Sequence, residues 1–138
     1  MSLQYLLDTK VLSEPLRPVP DRRVLRWLEQ HREETATAAP VWHELRFGCN
    51  RLPPSAKRQK LEAYLENVLG PSLPVLPYDA KAAEWHAAER ARLTSAGRTP
   101  AFVDGQIAAV AAVNQLTVVT LNPRQFRPFQ GLEVEAIR

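Results

Sequence analysis

The feature that most constrains this chain is an alternation of short, nearly continuous apolar runs with longer segments of helical periodicity. Leu3 to Leu7 is apolar but for Gln4 and stops at Asp8. A run of that length with no polar face fits a strand buried on both sides, as strands of parallel sheets are. Further strands are predicted at Thr35 to Ala39, around Leu73 to Leu76, at Leu116 to Leu121 and at Leu132 to Ile137. Helical patterns fill the intervals. Asp21 to His31 has Asp21 as N-cap and Val24, Leu25 and Leu28 on one face, and a second helix runs from about Val41 to Arg51. Ser55 to Leu69 repeats Leu61, Leu65 and Leu69 four apart and ends at Gly70-Pro71. Asp79 to Ala96 is capped by Asp79 and ends at Gly97. Phe102 to Asn114 is apolar nearly all round, which predicts a helix buried between the sheet and a neighbouring helix. The alternation implies an α/β fold: an open parallel sheet of five strands with helices on both faces.

Length and composition fit that architecture. The 138 residues suit one domain, 1–138, whose core removes roughly two-thirds of the unfolded chain's surface from water. A hydrophobic content of 45% against 24% charged residues argues against global disorder. Cys49 is the only cysteine, which excludes an internal disulfide and a thiolate metal cluster and points to a reducing compartment. Met1 to Leu7 lacks the basic flank and the length of a signal peptide, and Ile107 to Val113 is too short to span a bilayer. A cytoplasmic protein without a membrane role is expected. Eighteen Lys and Arg against 15 Asp and Glu give +3, mildly favourable to an anionic partner and equally compatible with a solvated basic surface.

Three carboxylates stand out by position. In open parallel sheets ligands sit beyond the carboxyl ends of the strands, and Asp8 follows the first strand while Thr120 and Asn122 end or follow the fourth. Asp8 reads equally as a cap in a strand-to-helix turn. Asp104 lies in the first turn of its helix with Ile107, Ala108 and Ala111 on its face, so it points toward the core and needs a partner, free helix amides or a metal. Glu44 falls beside Val41 and Gly48 at the margin of its helix, facing a crevice or plain solvent. If the three converge, each pair about 5 Å apart repels by roughly 3 kcal/mol at an effective dielectric near 20, which calls for a cation. Oxygen ligands without Cys or His select Mg²⁺ or Mn²⁺, ions suited to phosphoryl chemistry. Spacing alone does not show convergence.

Four stretches taken together are more specific: Leu6-Leu7-Asp8-Thr9-Lys10-Val11-Leu12-Ser13-Glu14, Trp42 to Gly48, Phe102-Val103-Asp104-Gly105-Gln106-Ile107-Ala108-Ala109, and Val118 to Phe126. In this order they resemble the PIN-domain family, and within it the VapC-type toxins of bacterial toxin–antitoxin pairs, over almost the whole chain. The resemblance implies a Rossmann-like PIN fold and an Mg²⁺- or Mn²⁺-dependent endoribonuclease toxin that inhibits translation. It assigns Asp8, Glu44 and Asp104 to the acidic metal-binding positions, Asn122 to a fourth site position, and Thr9 and Thr120 to supporting hydroxyls. It implies a homodimer, an RNA substrate, and a cognate antitoxin whose C-terminal segment wraps hydrophobic grooves on the toxin.

This chain departs from the family pattern at Lys10, where Asn is usual. An ammonium about 5 Å from a divalent ion is repelled by roughly 7 kcal/mol at an effective dielectric near 20, so Lys10 swings into solvent or weakens metal binding. The second outcome defines an alternative: a catalytically weakened or silent PIN module acting by antitoxin or RNA binding. Leu121 and Gln125 stand where relatives often carry basic and acidic residues. A phosphohydrolase of the haloacid dehalogenase type needs a second Asp two residues after the first, where this chain has Lys10.

The remaining chemistry-bearing residues carry less. His31, His43 and His86 have no metal-like spacing and read as surface or core-edge histidines. Cys49 reads as a small buried hydrophobe, and Trp27, Trp42 and Trp85 as core, with Trp27 also suited to a partner groove beside Arg23 and Arg26. Arg46, Arg51, Arg124 and Arg127 lie near the acidic motifs in sequence and either hold RNA phosphates or are solvated charges.

Overall fold

A computed structural model of the protein describes residues 2–137; Met1 and Arg138, the ends of the predicted 1–138 domain, lie outside the described residues. Five strands form one sheet: β1 Tyr5–Leu7, β2 Thr35–Ala38, β3 Val75–Leu76, β4 Thr117–Thr120 and β5 Val134–Ala136. The sheet order is β3-β2-β1-β4-β5, and every pairing is parallel. All five predicted strands are present, each shorter than its apolar run. All four residues of β2 and the last three of β4 are buried. Successive strand residues point to opposite faces, so both faces of the sheet are covered at these strands.

Among the described residues six α-helices accompany the sheet: α1 Thr9–Ser13, α2 Arg22–Gln30, α3 Ala39–Asn50, α4 Ala56–Ala63, α5 Ala80–Ser95 and α6 Phe102–Val113. Asp8, Asp21, Ser55 and Asp79 each cap the helix that follows by accepting a backbone N–H. The helix α3 starts two residues before the expected Val41, with Pro40 in its first turn, where the missing N–H costs nothing. The predicted Ser55–Leu69 helix is not uniform. Its second half, Tyr64–Leu69, widens into π-helix and ends where Gly70 N–H donates to Leu65 O at 2.9 Å. The helix α1, with a 3₁₀ turn at Glu14–Leu16 behind it, was not resolved by periodicity because five residues span too few turns.

The helix α6 behaves as its all-round apolar sequence demands. Gly105, Ile107, Ala108, Ala109, Val110 and Ala111 are buried, and the helix packs on α5, β2 and β4. The α5–α6 contact is close because Gly105 has no side chain: a Cβ there would lie 2.2 Å from His86 Nε2. His86 is therefore a correction to the expected surface or core-edge histidine, being 2% exposed with Nδ1 paired to the Tyr78 hydroxyl at 2.8 Å. Burial, with the nearby Arg90 charge, lowers its pKa and keeps the ring neutral.

The sheet order sets where a site can form. From β1 the chain fills positions on one side, to β2 and β3, then crosses to the other side of β1 for β4 and β5. The reversal leaves a crevice beyond the carboxyl ends of β1 and β4, the place where open α/β sheets bind ligands.

Candidate active site

The crevice is closed at its base by a hydrogen bond between its two strands. Asp8 leaves β1 and is only 6% exposed. Its Oδ1 accepts the Val11 N–H at 3.1 Å, and its Oδ2 accepts the Thr120 hydroxyl, from the end of β4, at 2.5 Å. Thr120 Oγ1 in turn accepts the Asn122 backbone N–H at 3.0 Å. Asp8 is thus both a helix cap and a fixed acceptor at the switch point. Burial raises its pKa, offset in part by the bonds from Thr120 and Val11 and by the Lys10 charge.

A cleft of about 190 Å³ opens above it, lined by Asp8, Thr9, Lys10, Glu44, Asp104, Ile107, Gln125 and Phe126. The three carboxylates come from three elements: the β1–α1 turn, α3 and α6. Asp104 is half-buried, and its pKa is raised first by burial and then by the negative charges of Glu44 and Asp8. Glu44 is exposed at the cleft margin, where the Thr9 hydroxyl donates to its Oε1 at 3.1 Å. The arrangement concentrates like charge in a partly desolvated space, which one cation relieves.

Among the described residues no group of three or more His, Cys, Asp and Glu side chains is drawn together tightly enough to hold an ion as it stands. The donor set nonetheless suits a hard divalent cation: three carboxylates, a nearby hydroxyl and a wall free of sulfur and imidazole. Like-charge repulsion opposes their approach in the absence of a cation.

The other candidates fall outside this cleft or enter it differently. Asn122 is exposed and does not line it; its backbone, rather than its carboxamide, supports Thr120. Arg46 lies 3.8 Å from Glu66, Arg51 sits over the Phe47 ring, and Arg124 is exposed on a 3₁₀ turn at Pro123–Gln125; none lines the cleft. Gln125, noted in the sequence only as a lost carboxylate, forms part of the wall, as do Ile107 and Phe126. Phe126 carried no functional signal beyond its place at the end of the fourth motif. Trp27 packs edge-on to Tyr5 and donates to Glu135 at 3.1 Å, tying α2 to the sheet.

A second concavity, of about 250 Å³, is predominantly apolar. It lies among α2, the π-helical segment and β1, with Leu25, Leu28, Tyr64, Val68, Leu69 and Leu73 in its walls. Leu25 and Val68 there are exposed, as are Val19, Phe47, Val75 and Phe102 elsewhere.

Comparison with known proteins places this geometry. The PIN domain family matches residues 5–129. Toxin FitB of Neisseria gonorrhoeae is 38% identical over 124 residues, covering 88% of this chain and 89% of that protein. VapC ribonuclease Y4jK of Sinorhizobium fredii is 33% identical over 135 residues, covering 96% of this chain and 94% of that protein. Among solved structures, FitAcB from Neisseria gonorrhoeae superimposes with a TM-score of 0.87 at 36% identity, over 95% of this chain and 96% of the other. VapBC2 from Rickettsia felis, bound to a DNA fragment from its promoter, gives 0.82 at 25% identity over 99% and 98%.

Proposed function

This chain belongs to the PIN-domain family, and from that premise we propose that it is an Mg²⁺- or Mn²⁺-dependent endoribonuclease, the toxin of a toxin–antitoxin pair. The observation that carries the reading is the gathering of Asp8, Glu44 and Asp104 around one cleft at the β1/β4 switch point. These three carboxylates would hold the ion, with Thr9 and Thr120 fixing two of them. A bound Mg²⁺ or Mn²⁺ supplies Lewis acidity toward a phosphate oxygen and lowers the pKa of water.

The chain's own groups supply position. The Asp8 carboxylate accepts bonds from α1 and from β4 at once, so it does not reorganise when substrate arrives. With Oε1 held by the Thr9 hydroxyl, Glu44 would keep Oε2 free as a ligand for the ion. Ile107 and Phe126 restrict bulk water on the inner wall. A water oxygen would bond to phosphorus as the bond to the 3′ oxygen breaks, the water's proton passing to solvent and the 3′ oxygen taking one up from it, with no side chain covalently attached. Asn122 contributes through its backbone to the Thr120–Asp8 bond. Arg46 and Arg124 are candidates for RNA phosphates outside the cleft.

The proposed partners are RNA, a cognate antitoxin and a second copy of this chain. The apolar groove beside α2 supports an antitoxin segment, and the exposed Phe47, Val75 and Phe102 support an apolar interface. The proposed place of action is the cytoplasm, on translation; among the described residues no helix is long and apolar enough to cross a membrane. Strands from near both ends of the chain meet in one sheet, in keeping with 1–138 as a single domain.

A second reading, a silent module that only binds, is favoured by one observation: Lys10 lines the acidic cleft. RNA cleavage with Mg²⁺ or Mn²⁺, compared with EDTA and with Asp8→Asn, tests the enzyme reading. Cleavage should fall at least about a hundredfold in both controls. Cleavage that survives both removes the carboxylate–metal reading.

A further inference from the structure

The acidic cleft contains a cation of its own. Lys10 stands in the first turn of α1, two residues after Asp8, and lines the same space as Asp8, Glu44 and Asp104. Among the described residues Arg17, Arg23, Arg58 and Arg92 each close an ion pair with a nearby carboxylate, whereas Lys10 closes none. Its charge still reaches Asp8, where it is one of the influences that favour the ionised form. Lys10 and Glu44 are exposed, whereas Asp8 is buried and Asp104 half-buried, and the long lysine stem lets its charged head stay in water.

We propose, on the reading that this cleft binds a divalent ion, that Lys10 takes the place of a second cation and limits the site to one. Three negative charges less the one positive charge of Lys10 leave two, the charge of a single divalent ion. With a neutral residue at position 10, one divalent ion leaves a carboxylate charge uncompensated, and the cleft attracts a second. Lys10 also repels the first ion, so this site binds metal more weakly than its three carboxylates would alone. An ammonium on a flexible stem keeps free donors and adds a positive charge at the cleft that an RNA phosphate would meet.

The test is Mn²⁺ titration calorimetry on the full chain, with Lys10→Asn and Lys10→Arg beside the natural protein and melting curves in EDTA for all three. The natural chain and Lys10→Arg should each take up one Mn²⁺. Lys10→Asn should bind the first ion at least about tenfold more tightly and take up a second. In EDTA, Lys10→Asn should melt lower than Lys10→Arg, and Mn²⁺ should reverse that order. Equal affinity and stoichiometry in the natural chain and Lys10→Asn overturn the proposal and leave the metal site standing. Uptake by Lys10→Asn alone overturns it in favour of the silent module. No uptake by any of the three overturns the metal-site reading with it.

Discussion

Asp8 and Asp104 illustrate how one fold treats two carboxylates differently. Asp8 is almost fully buried but receives a backbone N–H and a threonine hydroxyl; Asp104 is half-buried and faces two like charges. Both have folded-state pKa values raised above their ordinary range, each chiefly by burial. An acid whose pKa rises on folding favours the native state only while protonated, so its penalty grows as pH rises from the unfolded value through the folded one. In EDTA at neutral pH, Asp104→Asn should therefore melt a few degrees above the natural protein. The gain should fade below the ordinary Asp pKa, where the carboxyl is neutral in both states. A melting series in EDTA across that range checks this; a variant that melts lower at neutral pH would show that Asp104 is a structural partner rather than a strained ligand.

At the scale of elements, the α5–α6 contact is the joint that fixes Asp104. Gly105 follows Asp104 directly and lets α6 rest on the neutral His86 ring. Gly105→Ala forces a methyl into that ring and should cost about 1–3 kcal/mol in chemical denaturation. Much of the loss should return in a His86→Ala background, because the clash is with that side chain; an additive double mutant would place the strain elsewhere. This joint was invisible in the sequence, where Gly105 read only as a motif position and His86 as a surface or core-edge residue. The turn from α4 into π-helix was equally hidden. Leu61, Leu65 and Leu69 suit an α-helix; the widened turns close at Gly70, whose N–H reaches Leu65 O and where a Cβ would stand 2.9 Å from that oxygen. By contrast, the caps at Asp21 and Asp79 were legible, because capping depends on one local hydrogen bond.

The whole molecule places its acids by topology. The position of Asp8 at the end of the first strand was readable from an apolar run that stops at a carboxylate. Glu44 and Asp104 reach the same cleft because α3 follows β2 and α6 precedes β4, the two strands that flank β1. No local pattern encodes that adjacency, and only the four motifs in order suggested it. The sequence placed Asn122 in the site as a side chain, while the fold uses its backbone to hold Thr120; that distinction depends on where the chain turns after β4. Asp8, Glu44 and Asp104 are proposed as the ligands of one divalent site. Anomalous diffraction from a crystal of the protein grown with Mn²⁺ tests it most directly. A manganese peak within about 2.5 Å of oxygens from at least two of these three residues is expected. A peak elsewhere, with this cleft empty in crystals of a chain that cleaves RNA, would contradict it.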